Sequence, residues 1–228
     1  MCGRFNVIDN PGLQELLRDL GIDLQLPQAI NVAPTEPVSL LRGLGAEAEI
    51  VPARWWLTPA WAKQVDQKYA MFNARSESLS SRAAYKKPFR SQRGLVPMSS
   101  FIEWRTEDGV KQPYDISSES GAMAVAALWD VWRGGDAPLL SCTVVTTDAA
   151  ESFKPWHSRM PVMLAADEWP RWLDNEKPIA DDDSIFCSEL KTGLKLVPLN
   201  RAVGNSRNKA LALLEPGGEE IILPVNRS

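Results

Sequence analysis

Cys2 is the residue of this chain with the most distinctive chemistry. If Met1 is removed, Cys2 carries a thiol and a free α-amine on adjacent carbons. An α-amine has a pKa of about 7.7–8.0, so a large share of it is neutral and nucleophilic near neutral pH. Such a 1,2-aminothiol can capture an aldehyde, because the amine forms a Schiff base and the thiol then closes a thiazolidine ring. Alternatively, the thiol can attack an amide carbonyl while the amine accepts the proton.

Three internal residues are candidates for acid–base or positioning roles. Glu103 lies between Ile102 and Trp104, where partial desolvation would raise its pKa and favour proton transfer; the alternative is an outward-facing strand residue. His157 is the only histidine and can exchange a proton near neutral pH, or it can be a structural loop residue. Asn73 can orient a substrate through its amide donor and acceptor, or it can cap the helix predicted after it.

Basic residues are concentrated in one short part of an otherwise acidic chain. The net charge is −4, which argues against a general polyanion-binding protein. The cluster is opposed only by Glu77, and it fits either an anionic partner on one face or a solvated helix face. Its members are Arg75, Arg82, Lys86, Lys87, Arg90 and Arg93. Arg159, two residues after the histidine, is a further candidate to hold a phosphate.

The elements that must position these residues are predominantly strands. A short amphipathic helix is predicted over 11–20, with Asn10 as its cap and Gly21 as its stop signal. Strands are predicted at 37–42, 48–55, 94–104, 122–132, 139–146, 160–164, 194–199 and 220–224. Helices are predicted at 76–86, 148–154, 166–174 and 206–214, with Asp148 and Asp167 as caps, and hairpin-sized loops at 106–112 and 133–138. Strands and helices do not alternate, so we expect one α+β domain over 1–228 with a largely antiparallel, curved or barrel-like sheet flanked by short helices.

Composition narrows the class of protein. Hydrophobic residues make up 44% of the 228 and charged residues 24%, which is typical of a soluble globular protein. No apolar run is long enough to cross a membrane, and no signal peptide is apparent, so an intracellular protein is expected. The three cysteines predict no disulfide framework. One histidine and no Cys-x-x-Cys predict no metal site, and no cofactor motif of the Walker type is found.

Taken together, these residues lie in segments that resemble the SRAP family (SOS response-associated peptidase). The segments occur in the family's order and span almost the whole chain. They are Met1-Cys2-Gly3-Arg4-Phe5, Asn31-Val32-Ala33-Pro34, Phe72-Asn73-Ala74-Arg75-Ser76-Glu77, Phe101-Ile102-Glu103-Trp104, His157-Ser158-Arg159-Met160-Pro161 and Arg201-Ala202-Val203-Gly204-Asn205. One departure is Trp56, which stands where the family often has a glycine, so the surface there is expected to differ in shape.

The resemblance implies a protein that recognises abasic sites in single-stranded DNA and crosslinks to them. It implies that Met1 is removed, by self-processing or by an aminopeptidase, and that the Cys2 amine and thiol form a thiazolidine with the sugar aldehyde. Glu103 would transfer protons, and Asn73 would position the N-terminus and the sugar. His157 would stabilise the opened sugar hydroxyl or act as a second acid or base. A Schiff-base intermediate would also permit abasic-site lyase chemistry.

The resemblance also implies where the DNA would lie. Arg75 and Arg159 would hold phosphates beside the lesion, and Arg4 and the basic residues of 82–93, including Arg82, would extend that contact. Three tryptophans are candidates either to stack on or wedge beside a base or to pack in the core: Trp55, Trp56 and Trp61. The expected protein is a monomer that works on DNA damage, with the replication machinery as a further candidate partner, in the cytoplasm of a bacterium or the nucleus of a eukaryote.

Other functions start from the same cysteine. N-terminal-nucleophile amidohydrolases also begin Met-Cys-Gly, but their sites commonly use an Asn-Gly pair in the oxyanion hole, and this chain has no Asn-Gly dipeptide. A non-catalytic single-stranded DNA binder would use the tryptophans and arginines without forming a covalent product. Peptidase action on other proteins is a further alternative, although the sequence best supports removal of the protein's own Met1.

Overall fold

Two β-sheets carry most of the regular structure in the computed structural model, which describes residues 2–225. The strands are β1 Phe5–Val7, β2 Ala29–Val32, β3 Pro37–Arg42, β4 Glu49–Trp55, β5 Asn73–Arg75, β6 Arg93–Met98, β7 Ser100–Glu107, β8 Val110–Ser118, β9 Met123–Trp132, β10 Leu139–Asp148, β11 Arg159–Pro161, β12 Met163–Leu164, β13 Leu194–Pro198 and β14 Ile221–Leu223. The α-helices are α1 Pro11–Asp19, α2 Ala83–Ser91 and α3 Trp169–Leu173. Among the described residues, no helix is long and apolar enough to cross a membrane.

The larger sheet closes into a barrel. Its strands follow the order β4, β3, β6, β9 and β10, and β10 returns to pair with β4 in parallel. Strands β6 and β9 are buried along most of their length because the barrel interior lies on one side and covering elements lie on the other. The short strand β5 lies alongside β10, also in parallel. This arrangement confirms the α+β class and the barrel-like sheet expected from the sequence.

The smaller sheet is antiparallel throughout and follows the order β14, β13, β8, β7, β1 and β2. The chain passes from the barrel to this sheet at Ser99, between β6 and β7. Ser99 fixes that crossing because its hydroxyl accepts from the backbone N–H of Ile8 at 2.8 Å and donates to the Ile8 carbonyl at 2.9 Å. The N-terminal strand β1 is thereby held along β7, the strand that carries Glu103.

An aromatic cluster attaches the segment before β11 to the smaller sheet. Phe153 packs between Phe101 and Trp156, with ring centroids 6.0 and 6.2 Å away. Trp156 in turn meets Tyr114 of β8 edge-on at 5.9 Å. Such ring pairs contribute more stabilising energy than the burial of their surface area alone. The cluster therefore fixes the turn that precedes β11 and carries His157.

The first helix follows the sequence prediction. Asn10 caps α1 through its side-chain oxygen, which accepts from the Leu13 N–H at 2.9 Å, and Pro11 begins the helix. Leu16 and Leu17 are buried with Leu13 on one face. Gly21 follows with a positive φ of 78°.

Several other predicted elements were wrong. Residues 148–154 do not form a helix, because Asp148 continues β10 and turns follow; within 206–214 only a single 3-10 turn forms at Leu211–Leu214. The helix predicted over 76–86 is a 3-10 turn at Ser76–Ser78, with α2 beginning only at Ala83. Asp167 lies inside a 3-10 turn rather than at its cap. The strand predicted at 94–104 is divided at Ser99.

Strands β1, β2, β5 and β8 were not predicted. The first three have only three or four residues, so their partners rather than their own sequences define them. Strand β8 takes up part of the predicted loop at 106–112, because Asp108 and Gly109 make a tight turn with φ values of 48° and 78°. Positive φ at both central residues is typical of the hairpin turn that Asp-Gly favours.

Arg93 corrects the expectation that the whole basic segment faces a partner. Its side chain is completely buried, and its guanidinium donates to the carbonyls of Phe89, Trp172 and Lys177 at 2.7–2.8 Å. It also donates to the carbonyls of Arg90 and Asp174. Arg93 therefore joins the end of α2 to the chain that follows α3, and it has no surface to offer a phosphate.

Arg93→Met should lower the free energy of unfolding by about 3 kcal/mol or more, because several buried carbonyls would lose their donors. Arg90→Met is the matched control, since Arg90 is exposed on α2 and its loss should change stability by only about 0.5 kcal/mol. Denaturant unfolding of both variants measures the difference. Equal stabilities would show that the Arg93 contacts contribute little.

Candidate active site

Cys2 lies in the protein interior, just before strand β1 of the smaller sheet. The residue is fully buried, and its thiol donates to the Arg4 carbonyl at a sulfur–oxygen distance of 3.9 Å. Burial raises the pKa of the Cys2 thiol, and the negative charge of nearby Glu103 raises it further. The thiol is therefore held in its protonated form at neutral pH.

Asn73 connects β5 to the N-terminal segment. Its side-chain nitrogen donates to the Cys2 carbonyl at 2.9 Å. Its own backbone is fixed twice, because β5 pairs with β10 and the Tyr85 hydroxyl donates to the Asn73 carbonyl at 3.3 Å. The side-chain oxygen of Asn73 is buried and meets no hydrogen-bond donor among residues 2–225. The amide therefore holds Cys2 with one end and presents an acceptor with the other.

Glu103 lies on β7 opposite Tyr114 of β8 and is only 4% exposed. Burial raises the pKa of the Glu103 carboxyl above its usual range. The sequence prediction of a desolvated carboxylate in this apolar strand is therefore confirmed, and the alternative of an outward-facing residue is wrong. A carboxyl with a raised pKa can hold and release a proton closer to neutral pH than an exposed one.

His157 has a defined hydrogen-bonding arrangement. The backbone N–H of Arg159 donates to His157 Nδ1 at 2.8 Å, and the Arg159 carbonyl oxygen lies 3.2 Å from the same nitrogen. The shorter N–H contact assigns Nδ1 as an acceptor and places the proton of the neutral ring on Nε2. Burial lowers the pKa of His157 below its ordinary value. The imidazole is therefore neutral at pH 7, and its Nε2–H is a hydrogen-bond donor rather than a base.

A pocket of about 460 Å³ brings part of this set together, and we call it the Glu103 pocket. It is lined by Arg4, Glu103, Trp104, Lys111, His157 and Gly204. The guanidinium of Arg4 lies 5.9 Å from the centre of the Trp104 ring. Sequence reasoning assigned no role in the site to Lys111 or Gly204, because nothing in their local sequence places them beside Glu103.

Arg159 differs from the sequence expectation. Its guanidinium donates to both carboxylate oxygens of Glu77 at 2.6 and 3.0 Å and to Asp148 at 2.6 Å. It also donates to the Thr146 carbonyl at 2.7 Å. The charge of Arg159 is thus already matched by two carboxylates, so we correct its role from a phosphate ligand to an anchor of β11.

The three candidate tryptophans have different surroundings. Trp55 is fully buried, its ring packs on Phe5 and Phe72, and its N–H donates to the Phe72 carbonyl at 2.8 Å. The expectation that Trp55 contacts a base is therefore corrected to a core role. Trp56 is partly buried and packs on Phe72 at 5.5 Å. Trp61 is 66% exposed and remains accessible to a ligand.

Trp61 lies in a separate groove of about 1060 Å³ between the 57–71 segment and the start of α2, which we call the Trp61 groove. Its lining includes Arg82 and also Tyr69, which is 67% exposed and was missed from the sequence. Tyr85 borders this groove and donates to the Asn73 carbonyl, so the groove floor reaches the backbone of β5. Two accessible aromatic rings with a cation nearby are suited to stacking on planar ligands.

The remaining basic candidates are at the surface. Arg75 at the end of β5 and Arg82 before α2 are both exposed, and so are Lys86, Lys87 and Arg90 on the outer face of α2. No group of three or more His, Cys, Asp or Glu side chains in the described part of the chain is arranged to hold a metal ion.

Comparison with known proteins places this geometry in a family. The family model described as "SOS response associated peptidase (SRAP)" matches residues 1–206. The chain belongs to this family. Among its SRAP relatives, an "Abasic site processing protein YoaM" of Bacillus subtilis is 32% identical over 94% of this chain and 98% of that protein. An "Abasic site processing protein HMCES" of Xenopus tropicalis is 30% identical over 72% of this chain and 56% of that protein.

Solved structures share the SRAP fold seen here. A protein from Bacteroides thetaiotaomicron superimposes with a TM-score of 0.75 at 18% identity, covering 94% of this chain and 100% of that chain. A phage-related protein from Bordetella bronchiseptica gives a TM-score of 0.68 at 22% identity over 87% and 94%. At these identities the likeness concerns the fold alone.

The single histidine of this SRAP chain allows a direct test of its tautomer. In a ¹⁵N-labelled sample, His157 should give one imidazole spin system with its proton on Nε2 and a pKa below about 6.5. Nuclear magnetic resonance of the ring nitrogens across pH 5–8 reports both properties. A proton on Nδ1, or a pKa above 6.5, would contradict the arrangement described here.

Proposed function

We propose that this protein crosslinks to abasic sites in single-stranded DNA through Cys2 after Met1 has been removed. The observation that carries the proposal is the contact of Asn73 with the Cys2 carbonyl beside a buried carboxyl, Glu103, whose pocket also holds His157. SRAP relatives that match nearly the whole chain are named abasic site processing proteins.

The proposed reaction joins both groups of Cys2 to one carbon. The free amine attacks C1′ of the ring-opened sugar, and water leaves to give a Schiff base. The thiol sulfur then bonds to the same carbon, and its proton passes to the nitrogen, which closes the thiazolidine. The net reaction of aldehyde and aminothiol therefore releases one water and needs no oxidant, reductant or cofactor.

Each neighbouring residue has a defined part in this sequence of steps. Asn73 orients Cys2 through its carbonyl, and its buried side-chain oxygen is an acceptor for a proton of the amine or the sugar. Glu103 moves protons while water leaves and the ring closes, because burial has raised its pKa. His157 donates from Nε2 to the hydroxyl of the opened sugar.

The raised pKa of the Cys2 thiol supports an order in which the amine reacts first. A protonated thiol is a poor nucleophile, so the amine must form the electrophilic Schiff base before the sulfur adds. Removal of Met1 by the protein itself is part of the proposal. The same Schiff base also permits β-elimination of the 3′ phosphate, which would give abasic-site lyase activity.

The DNA strand is proposed to pass over the exposed basic residues. Arg75 and Arg82 supply phosphate contacts, and Arg4 does so within the Glu103 pocket. Of the three candidate tryptophans, Trp61 and to a lesser extent the partly buried Trp56 contact a base, because Trp55 is fully buried. Arg93 is fully buried too and makes no phosphate contact. We further propose that the protein acts on damaged DNA as a monomer. It would do so in the cytoplasm of a bacterium or the nucleus of a eukaryote, near the replication machinery.

Cys2→Ala should abolish the denaturation-resistant adduct with abasic single-stranded DNA, because an amine alone forms only a reversible Schiff base. Cys187→Ala is the matched control, since it also removes a thiol but leaves the aminothiol intact. Intact-mass measurement detects the loss of Met1 and an added mass equal to the DNA minus one water. An oligonucleotide with a tetrahydrofuran residue, which has no aldehyde, should give no adduct.

Alternative functions give different results in the same experiment. An adduct that persists in Cys2→Ala would exclude Cys2 as the nucleophile. Salt-sensitive binding without any covalent product or preference for abasic DNA would identify a simple single-strand binder. Hydrolysis of glutamine by the wild type, without an adduct, would identify an amidohydrolase.

Glu103→Gln should slow adduct formation by about 10²-fold, because the isosteric amide keeps the packing but cannot transfer a proton. Glu107→Gln is the control, since it makes the same charge change on the same strand at a more exposed position. Single-turnover rates at saturating DNA between pH 5 and 9 measure the effect. If the two variants react at the same rate, Glu103 has no acid–base role.

A further inference from the structure

Asn31 lies behind the Glu103 pocket, in contact with Arg4 of its lining. It lies on β2, is completely buried, and has a positive φ of 52°, a conformation that asparagine tolerates better than most residues. The mechanism above assigns no role to it or to the segment around Gly204.

The side-chain nitrogen of Asn31 meets a chain segment distant in sequence. It contacts the carbonyl oxygens of Val203, Asn205 and Asn208 at 3.0, 3.1 and 3.1 Å. This segment, 203–208, includes Gly204, which lines the Glu103 pocket. Three carbonyls of this irregular segment therefore surround the side-chain nitrogen of one residue.

Two other groups of Asn31 contact the N-terminal segment, and its carbonyl contacts Lys209. Its side-chain oxygen accepts from the Arg4 guanidinium at 3.4 Å. Its backbone N–H donates to the Asn6 side chain at 2.8 Å, and its carbonyl accepts from Lys209 at 2.9 Å. The same residue thus contacts Arg4 and the 203–208 segment, which lie on the two sides of it.

We propose that Asn31 is the positioning residue that fixes both Arg4 and the 203–208 segment as walls of the DNA-binding pocket. The proposal rests on the function above only in naming abasic DNA as the ligand. An amide is required because it combines two N–H donors with one acceptor at the end of a short side chain, whereas aspartate has no donor and leucine has neither.

Apolar packing allows this role to be separated from folding. Val203 belongs to a small buried cluster with Ile102, Leu199 and Leu213, so the chain around the segment stays attached to β7 without Asn31. Loss of the amide is therefore expected to loosen 203–208 locally and to leave the barrel intact.

Hydrogen–deuterium exchange tests the contact without DNA. Asn31→Ala and Asn31→Asp should each speed exchange of the 203–210 amides by about tenfold or more, with little change in the barrel strands. Thr35→Gly is the control, since Thr35 also has a positive φ, 82°, in the same part of the chain but makes none of these contacts. Unchanged exchange at 203–210, or equally faster exchange throughout the barrel, would overturn the proposal.

The dependence of the crosslinking rate on DNA concentration then distinguishes the role of Asn31 toward Arg4 from its role toward 203–208. Asn31→Asp loses the donors to 203–208 but keeps an acceptor for Arg4, so it should raise the half-saturating DNA concentration only about threefold. Asn31→Ala loses the contacts with both walls and should raise that concentration about tenfold. Both variants should retain the saturating crosslinking rate within about twofold. Equal half-saturation for the two would exclude the role toward Arg4. If the wild type forms no adduct, the proposed function fails, and the exchange experiment still decides the role toward 203–208.

Discussion

The pairing of β1 with β7 is the constraint on which the rest of the site depends. Phe5 lies opposite Phe101, and the Ile102 N–H donates to the Arg4 carbonyl at 2.9 Å. Neighbouring strands lie about 4.8 Å apart, so this register brings the residues before Phe5 alongside those after Phe101. Cys2 and Glu103 are therefore brought together by backbone hydrogen bonds and not by a flexible loop.

Burial shifts the pKa of the Cys2 thiol and of the Glu103 carboxyl in the same direction. Desolvation raises the pKa of the Cys2 thiol and of the Glu103 carboxyl, because each is charged when deprotonated. Deprotonation of either group is therefore disfavoured, which agrees with the proposed order in which the amine reacts before the thiol. His157 is biased toward its neutral form as well, because burial lowers its pKa.

The arginines illustrate how the fold divides chemically identical residues. Arg93 is occupied by backbone carbonyls and Arg159 by two carboxylates, whereas Arg75 and Arg82 face solvent. Guanidinium groups bind carbonyls, carboxylates and phosphates through the same donors, so sequence spacing cannot separate internal anchors from ligand-binding groups. The same limit applies to Trp55 and Trp61, which lie close in sequence but have opposite exposure.

The sequence by itself determined the chemical groups, the α+β class and the elements with strong local signals. The capped helix α1, the strand β3 and the apolar setting of Glu103 were predictable because neighbouring residues encode them. Only the tertiary structure decided which groups meet. The short strands β1, β2 and β5 exist through distant partners, and the contacts of Asn73 with Cys2 and of Asn31 with 203–208 each join residues far apart in the chain. Such long-range hydrogen bonds form only after the sheets assemble, so no local pattern predicts them.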